Sequence, residues 1–146
     1  MIPIEKIKKL REETSLSIFE CKKALERAGG DLEKARKILK EFGVEFAKKR
    51  KERKTAEGLI TSYIHSNKRI GVLLDIRCES DFVARSPEFQ NLAHEICLQI
   101  AAMGEKDLLL QPWIKDESKK IEDLIKECIV KFGENIQIKR FCRYDL

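Results

Sequence analysis

A serine, an aspartate and two histidines are the side chains in this sequence that would suffice for nucleophilic catalysis. Ser80 and Asp81 are adjacent, and His65 or His94 would have to supply the general base. The GxSxG turn that presents such a serine is absent, as are the HExxH pattern of zinc hydrolases and the glycine-rich loops that hold nucleotide phosphates. We therefore expect no catalytic residues, and we interpret both histidines as structural or surface residues.

The cysteines form neither a metal-binding nor a disulfide pattern. No CxxC is present, and no cysteine has a histidine at the spacing of a structural zinc site. Three of them fall among apolar residues at helical spacing, where a thiol packs as a small hydrophobic group. We expect free thiols, no metal and no cofactor, and the cysteine that follows Phe141 is a candidate for a contact between subunits. The five cysteines are Cys21, Cys78, Cys97, Cys128 and Cys142.

The segment Arg77–Arg85 places an acid beside an aromatic residue where a predicted strand ends. Composition alone favours a structural role, in which Asp81 caps a turn and Phe82 folds back onto the core. A binding role for this segment needs support beyond composition.

The beginning of the chain predicts two short helices. Apolar residues at three-residue spacing follow Pro3, which suits a first helical position, and this helix is expected to end near Glu13. Ser17 and Glu20 form a capping-box pattern that starts the second helix, because each side chain can satisfy a free backbone N–H of the other.

A third helix is expected to follow a double glycine. Gly29 and Gly30 stop the second helix, Asp31 caps the next one, and an apolar stripe is predicted to end at Gly43. Three helices of this length form a compact module of the ubiquitin-associated (UBA-like) type, a scaffold used for binding proteins. The almost wholly charged run Lys48–Lys54 then predicts a solvated linker or an extension of the helix.

From Gly58 onward the apolar period changes to two. Alternation over Leu59–Tyr63 and Val72–Cys78, separated by the turn residues Ser66–Lys68, predicts a β-hairpin. Two amphipathic helices follow, the first beginning at Ser86-Pro87-Glu88 and the second covering Ile121–Phe132.

A last strand is predicted over Ile136–Tyr144, with a bulge where the apolar parity slips between Ile138 and Phe141. The fold class is therefore α+β: an N-terminal three-helix UBA-like module followed by a three-stranded antiparallel sheet covered by helices. We divide the chain into a module at 1–46, a basic linker at 47–56 and an α+β core of a dimerisation type at 57–146.

Charge is distributed unevenly along the chain. Residues 1–55 hold 17 Lys and Arg against 10 Asp and Glu, although the whole chain carries only +5. A basic front suits contact with an acidic surface, either a protein or a nucleic acid. A ribosome- or RNA-associated binding protein is thus the alternative function, but the basic run lacks interleaved aromatic residues, and Lys and Arg alone bind nucleic acid without specificity.

Several segments together resemble the elongation factor Ts family. The run Leu74–Ala84 is similar to the strand-exit signature of that family, and Glu57–Ile60 is similar to its strand start. The front of the chain also agrees, and so do three signatures near the C-terminus. These further matches are Leu10–Thr14, Cys21–Leu25, Gly30–Ala35, Gln111–Asp116, Gly133–Ile136 and Arg140-Phe141.

The resemblance implies a guanine-nucleotide exchange factor of translation elongation, a binding protein and not an enzyme. It implies that the chain binds the GDP form of elongation factor Tu, displaces Mg²⁺ and promotes GDP release, so that GTP can bind. The residues implied in displacing Mg²⁺ are Ser80, Asp81, Phe82 and Val83. Those implied in binding the partner are Arg11, Ile18 and Phe19.

The chain departs from the family pattern in one large respect. Family members carry a longer stretch with further helices where this sequence has only Gly104–Asp107. Because one reduced core presents less contact surface, we hypothesise a homodimer that uses the last strand and Cys142. At single positions, Ser15 stands where the family usually has glycine and Ser80 where it usually has threonine.

No apolar run approaches the roughly 20 residues that span a bilayer, and the N-terminus turns charged at once. We expect a cytoplasmic protein with no membrane contact and no specific nucleic-acid partner.

Overall fold

A computed structural model describes all 146 residues. Three helices open the chain: α1 (Ile4–Thr14), α2 (Ile18–Arg27) and α3 (Leu32–Arg50). Pro3 is the N-cap of α1, one position before the first helical residue, and is not itself the first helical residue as predicted. The Ser17 hydroxyl accepts a hydrogen bond from the Glu20 N–H, which confirms half of the predicted capping box.

The stop and start between α2 and α3 are as predicted. Gly29 and Gly30 have φ values of 62° and 84°, a left-handed conformation that glycine adopts without steric cost. The Asp31 carboxylate then accepts hydrogen bonds from the Glu33 and Lys34 N–H groups. The three helices enclose a small core of their own, made by Leu10, Leu16, Cys21, Ala24, Leu25, Ala28, Ala35 and Leu39.

The prediction that the third helix ends at Gly43 is wrong. α3 continues to Arg50, because its last turns pack against the rest of the molecule: Ala47 is buried in the second core and Phe46 packs against that core. A Cβ at Gly43 would lie 3.4 Å from the Val130 side chain, so glycine here permits a close approach between helices. The first residues of the predicted linker are therefore a helix extension.

The three-stranded sheet contains β1 (Glu57–Ile64), β2 (Ile70–Cys78) and β5 (Gln137–Asp145), all antiparallel, with β2 in the centre. The predicted bulge is confirmed, since Asp75 pairs with Arg140 while the next residue, Ile76, pairs with Ile138. Along β2, alternate residues are buried beneath the helices on one face. The opposite face is open to solvent and exposes apolar side chains, among them Ile60, Ile64 and Leu73.

Helices α4 (Asp81–Ala84), α5 (Pro87–Met103) and α6 (Ile121–Phe132) complete the larger unit. α5 contributes more residues to its core than any other element, because its predicted apolar stripe is buried, including Phe89, Ile96 and Ile100. The α+β class and the sheet covered by helices are thus confirmed.

A second, two-stranded sheet was not predicted. β3 (Pro112–Trp113) and β4 (Asp116–Lys120) form a short hairpin after a 3₁₀ turn at Leu108–Leu110. Its sequence is mostly polar, so alternation gives no signal. A buried amide pair holds the hairpin instead: Gln99 donates to the Gln111 side chain and to the Pro112 carbonyl, both at 3.0 Å, and accepts from the Ile114 N–H.

Candidate protein-binding site

The residues Ser80–Val83, which we call the tip, lie at the start of α4, a single helical turn between β2 and α5. Ser80 is the N-cap, and its hydroxyl accepts a hydrogen bond from the Val83 N–H at 3.3 Å. Val83 is buried against the core, whereas the Phe82 side chain is 87% exposed. The structural role that composition favoured is therefore wrong for Phe82, because the turn directs its ring into solvent.

The carboxylate of Asp81 is exposed and paired with Arg85 one turn later on the chain. The Arg85 Nε–H donates to Asp81 Oδ2 at 2.8 Å, and this hydrogen bond holds the pKa of the carboxyl below its usual value. Behind the tip, burial raises the pKa of the Cys78 thiol to about 11, and the thiol donates to the Ser80 carbonyl at 3.2 Å. At neutral pH the tip thus presents one ionised carboxylate and one aromatic ring.

Glu134 holds the base of the tip from the turn between α6 and β5. One of its carboxylate oxygens accepts hydrogen bonds from the N–H groups of Glu79 at 3.1 Å and of Ser80 at 2.9 Å. The other accepts the Ser80 hydroxyl at 2.6 Å. Hydrogen bonds to an ionised acceptor are stronger than neutral ones. This one side chain thus fixes the N-terminal side of the tip.

Glu134 was not predicted as a site residue. Gly133–Ile136 was matched to the family only as a signature, and nothing in its composition shows which residue it contacts 54 positions earlier. The one available signal was that a glutamate directly follows Gly133, the glycine that ends a helix. A charged residue at such a position is ordinarily expected to be exposed to solvent.

The other predicted binding residues lie on the helical unit. Ile18 and Phe19, the α2 apolar pair, start α2 and are 54% and 69% exposed. Both therefore face outward, and the Lys23 ammonium lies 5.9 Å from the centre of the Phe19 ring. Arg11 is exposed in the last turn of α1. These three residues and the tip belong to different units of the molecule.

The histidines are not brought to Ser80. The hydroxyl of Tyr63 lies 2.8 Å from His65 Nδ1, and the His94 ring packs edge-on against the Tyr63 ring. Tyr63 pairs with Val72, and β2 runs six residues further before it reaches the tip, a distance of roughly 20 Å along a strand. The sequence candidates for a hydrolytic triad therefore lie at opposite ends of the hairpin.

The structure contains neither a metal-binding cluster nor a disulfide. No group of three or more His, Cys, Asp or Glu side chains is arranged to hold a metal ion. All five cysteines are free, and burial raises the pKa of the Cys97 and Cys128 thiols to about 11. None of the helices has the length and apolar character needed to cross a bilayer.

Comparison with known proteins identifies the family. The family model described as "Elongation factor TS" matches residues 79–146, which begin one residue before the tip. The curated elongation factor Ts of Rubrobacter xylanophilus is 39% identical over 191 aligned positions, covering 98% of each chain. That of Coprothermobacter proteolyticus is 40% identical over 96% of this chain and 95% of its own. That of Thermotoga petrophila is 41% identical over 99% of this chain and 96% of its own.

These alignments also show that the chain is reduced. An alignment of 191 positions to a chain of 146 residues leaves at least 45 positions without a residue here, although nearly all of the relative is spanned. The relatives therefore carry internal positions that this chain lacks, and their location around Gly104–Asp107 stays a prediction. The identities and coverage together show that the chain belongs to the elongation factor Ts family of translation elongation exchange factors.

Proposed function

We propose that this chain binds elongation factor Tu in its GDP form and releases GDP by moving the tip, Ser80–Val83, into the region that holds Mg²⁺. The observation that carries the proposal is the exposed Phe82 ring on a turn whose base is fixed by hydrogen bonds. A ring that is 87% exposed buries little apolar surface within its own chain. It supplies a large apolar surface to a partner instead.

The proposed mechanism needs only a small displacement. Mg²⁺ demands near-ideal octahedral geometry from its oxygen ligands. A shift of one coordinating element of the partner therefore lowers the affinity of the partner for both Mg²⁺ and GDP. Phe82 supplies the volume that causes the shift. The ionised Asp81 supplies an acceptor that competes for the donors around the phosphates, while Arg85 keeps it oriented.

The α2 apolar pair and Arg11 supply the attachment in this proposal. Two adjacent exposed apolar residues, flanked by cationic side chains, suit a partner surface that combines an apolar patch with acidic residues. We propose that α1–α3 act as a UBA-like binding module. We also propose the division into 1–46, 47–56 and 57–146, with α3 extending into the middle segment.

Binding and exchange are coupled in both directions. Any factor by which this chain lowers the affinity of the partner for GDP is the factor by which GDP lowers the affinity of the partner for this chain. GTP can therefore complete the cycle by displacing the chain. In this scheme the chain breaks no covalent bond and acts as a binding protein on a GTPase.

We propose further that two chains pair through the open face of the sheet. Leu73 and Cys142 are cross-strand neighbours on that face, and exposed Ile60, Ile64 and Tyr144 extend the apolar surface around them. Pairing would bury this face and give a reduced chain a second contact surface. A monomeric mass in light scattering would rule the dimer out, whereas a dimeric mass that Leu73→Arg converts to a monomer would support it.

Stopped-flow release of a fluorescent GDP analogue from elongation factor Tu tests the exchange function. The intact chain is expected to accelerate release, and Phe82→Ala is expected to remove most of the acceleration. Leu110→Ala is the matched control, because it also truncates an exposed apolar side chain but lies away from the tip. No acceleration by the intact chain would reject the proposal, and equal losses in both variants would reject the tip as its agent.

A further inference from the structure

The turn between α6 and β5 contacts the two parts of the molecule that the proposed function uses. Glu134 holds the base of the tip, as described above. Its neighbour Asn135 is buried, and its side-chain amide donates to the carbonyls of Lys51 at 3.3 Å and Arg53 at 2.9 Å, just beyond the end of α3. A single turn therefore ties the tip to the segment that leaves the helical unit.

Glu79 closes this arrangement. Its carboxylate accepts the Asn135 N–H with one oxygen, and its other oxygen lies 3.5 Å from the Arg53 guanidinium. The backbone of Glu79 in turn donates to Glu134. Buried and half-buried polar groups of this kind are satisfied together, so loss of one partner leaves others unpaired.

The tip cannot hold its own orientation. α4 has four residues, a single turn, and isolated helical turns are unstable in water. Its C-terminal side is anchored by the buried Val83 and Ala84, but its Asp81–Arg85 pair is exposed and lies within the turn itself. The N-terminal side is anchored to the rest of the molecule by Glu134.

We propose that Glu134 is a positioning residue for nucleotide exchange, holding the Phe82 turn in the orientation that displaces the metal of the partner. The proposal rests on the proposed exchange function. Binding energy displaces an element of the partner only if the inserted group is held rigidly. If the turn that carries the group is mobile, the group moves instead of the element of the partner. Glu134 does not itself touch the partner in this scheme and acts through Ser80 and Glu79.

The test compares three substitutions at one position in the full chain. Glu134→Ala removes all three hydrogen bonds, and Glu134→Asp withdraws the carboxylate by one methylene while keeping its charge. Glu134→Gln keeps an oxygen for both N–H groups and offers an N–H₂ donor to the Ser80 hydroxyl. Glu117→Ala is the control, an exposed glutamate on β4 with no side-chain partner.

GDP-analogue release is measured against increasing concentration of each variant. Since small misplacements of a reacting group cost up to about 100-fold, we expect Glu134→Ala and Glu134→Asp to lower the saturating release rate by roughly tenfold. The half-saturating concentration should change by less than about threefold, because the helical unit is untouched. Glu134→Gln should keep at least about half of the rate.

Hydrogen exchange at the Glu79 and Ser80 amides gives an independent readout that needs no partner. Both should exchange faster in the Ala and Asp variants than in the intact chain and the Gln variant. A wild-type saturating rate in Glu134→Asp, or an equal loss in Asp and Gln, would overturn the proposal while the exchange function stands. If Glu134→Ala fails to fold, the comparison of the saturating rates of Glu134→Asp and Glu134→Gln still tests the proposal. No acceleration by the intact chain and by Glu117→Ala would reject both proposals together.

Discussion

The tip and the α2 apolar pair both expose apolar side chains, but their supports differ. Phe82 stands on a turn with buried neighbours behind it, and the Glu134 carboxylate accepts three hydrogen bonds at the base of that turn. Ile18 and Phe19 stand on the first turn of α2, whose exposed cap is one 3.2 Å hydrogen bond to Ser17. A group that must displace part of a partner needs a rigid support, whereas a group that only adds contact area tolerates a looser one. On the basis of this difference, we propose that the tip sets the exchange rate and that the helical unit sets the affinity.

Truncation at the tip should have the largest effect. Interface hot spots of this kind cost about 2–4 kcal/mol on truncation, so Phe82→Ala should lower the saturating GDP-release rate about 30-fold or more. Its half-saturating concentration should change little. Stopped-flow titration measures both quantities, and Phe82→Leu serves as a conservative control that retains part of the volume. A saturating rate equal to that of the intact chain would break the assignment.

Truncation of the α2 apolar pair should have the opposite signature. Phe19→Ala removes contact area from the helical unit, and we expect it to raise the half-saturating concentration about five- to tenfold at an unchanged saturating rate. Isothermal titration against elongation factor Tu should show the same loss of affinity. A fall in the saturating rate without a loss of affinity would place Phe19 in the exchange step and contradict the comparison.

A change in the stability of the helical unit should leave the tip unaffected. Ser15 ends α1 with φ at 59°, a left-handed conformation that favours glycine. Ser15→Gly should therefore raise the free energy of unfolding by about 0.5–1 kcal/mol, measured by thermal melting. Ser66→Gly is the matched control, because it makes the same substitution in the turn of the hairpin, where the residue does not end a helix and has no positive φ. The saturating exchange rate should not change in either variant.

The smallest expected effect concerns pH. The pKa of Asp81 lies below its usual value because Arg85 donates a hydrogen bond to it, and the pKa of the Cys78 thiol is about 11. The carboxylate therefore stays ionised at every pH above its lowered pKa, and the thiol stays protonated at every pH well below 11. The ratio of exchange rates between the intact chain and Asp81→Asn should be constant from about pH 5.5 to 8.5. A step in that ratio would show that the tip titrates in this range.

Much of the fold follows from local sequence. Alternation along β2, the Asp31 cap and the apolar stripe of α5 were sufficient because each is set by neighbours in the chain. Local sequence did not predict the end of α3, because a glycine within a helix is tolerated where it permits contact with Val130. The β3–β4 hairpin was missed because side-chain amides from elsewhere hold it in place.

The candidate site divides in the same way. The family resemblance supplied the tip residues, and the structure places Ser80 at the N-cap, Asp81 and Phe82 outside and Val83 inside. The role of Glu134 could not be predicted, because it depends on a contact between residues 54 positions apart. The resemblance named the side chains that the tip presents, although composition had placed Phe82 on the core, and long-range packing determines how firmly they are held.

The most direct measurement is one titration of GDP-analogue release from elongation factor Tu with the intact chain, Phe82→Ala and Phe19→Ala. We predict acceleration by the intact chain, a lower saturating rate with Phe82→Ala and a higher half-saturating concentration with Phe19→Ala. The assignment of rate to the tip and affinity to the helical unit would be contradicted if both variants changed the same quantity, or if the intact chain left the release rate unchanged.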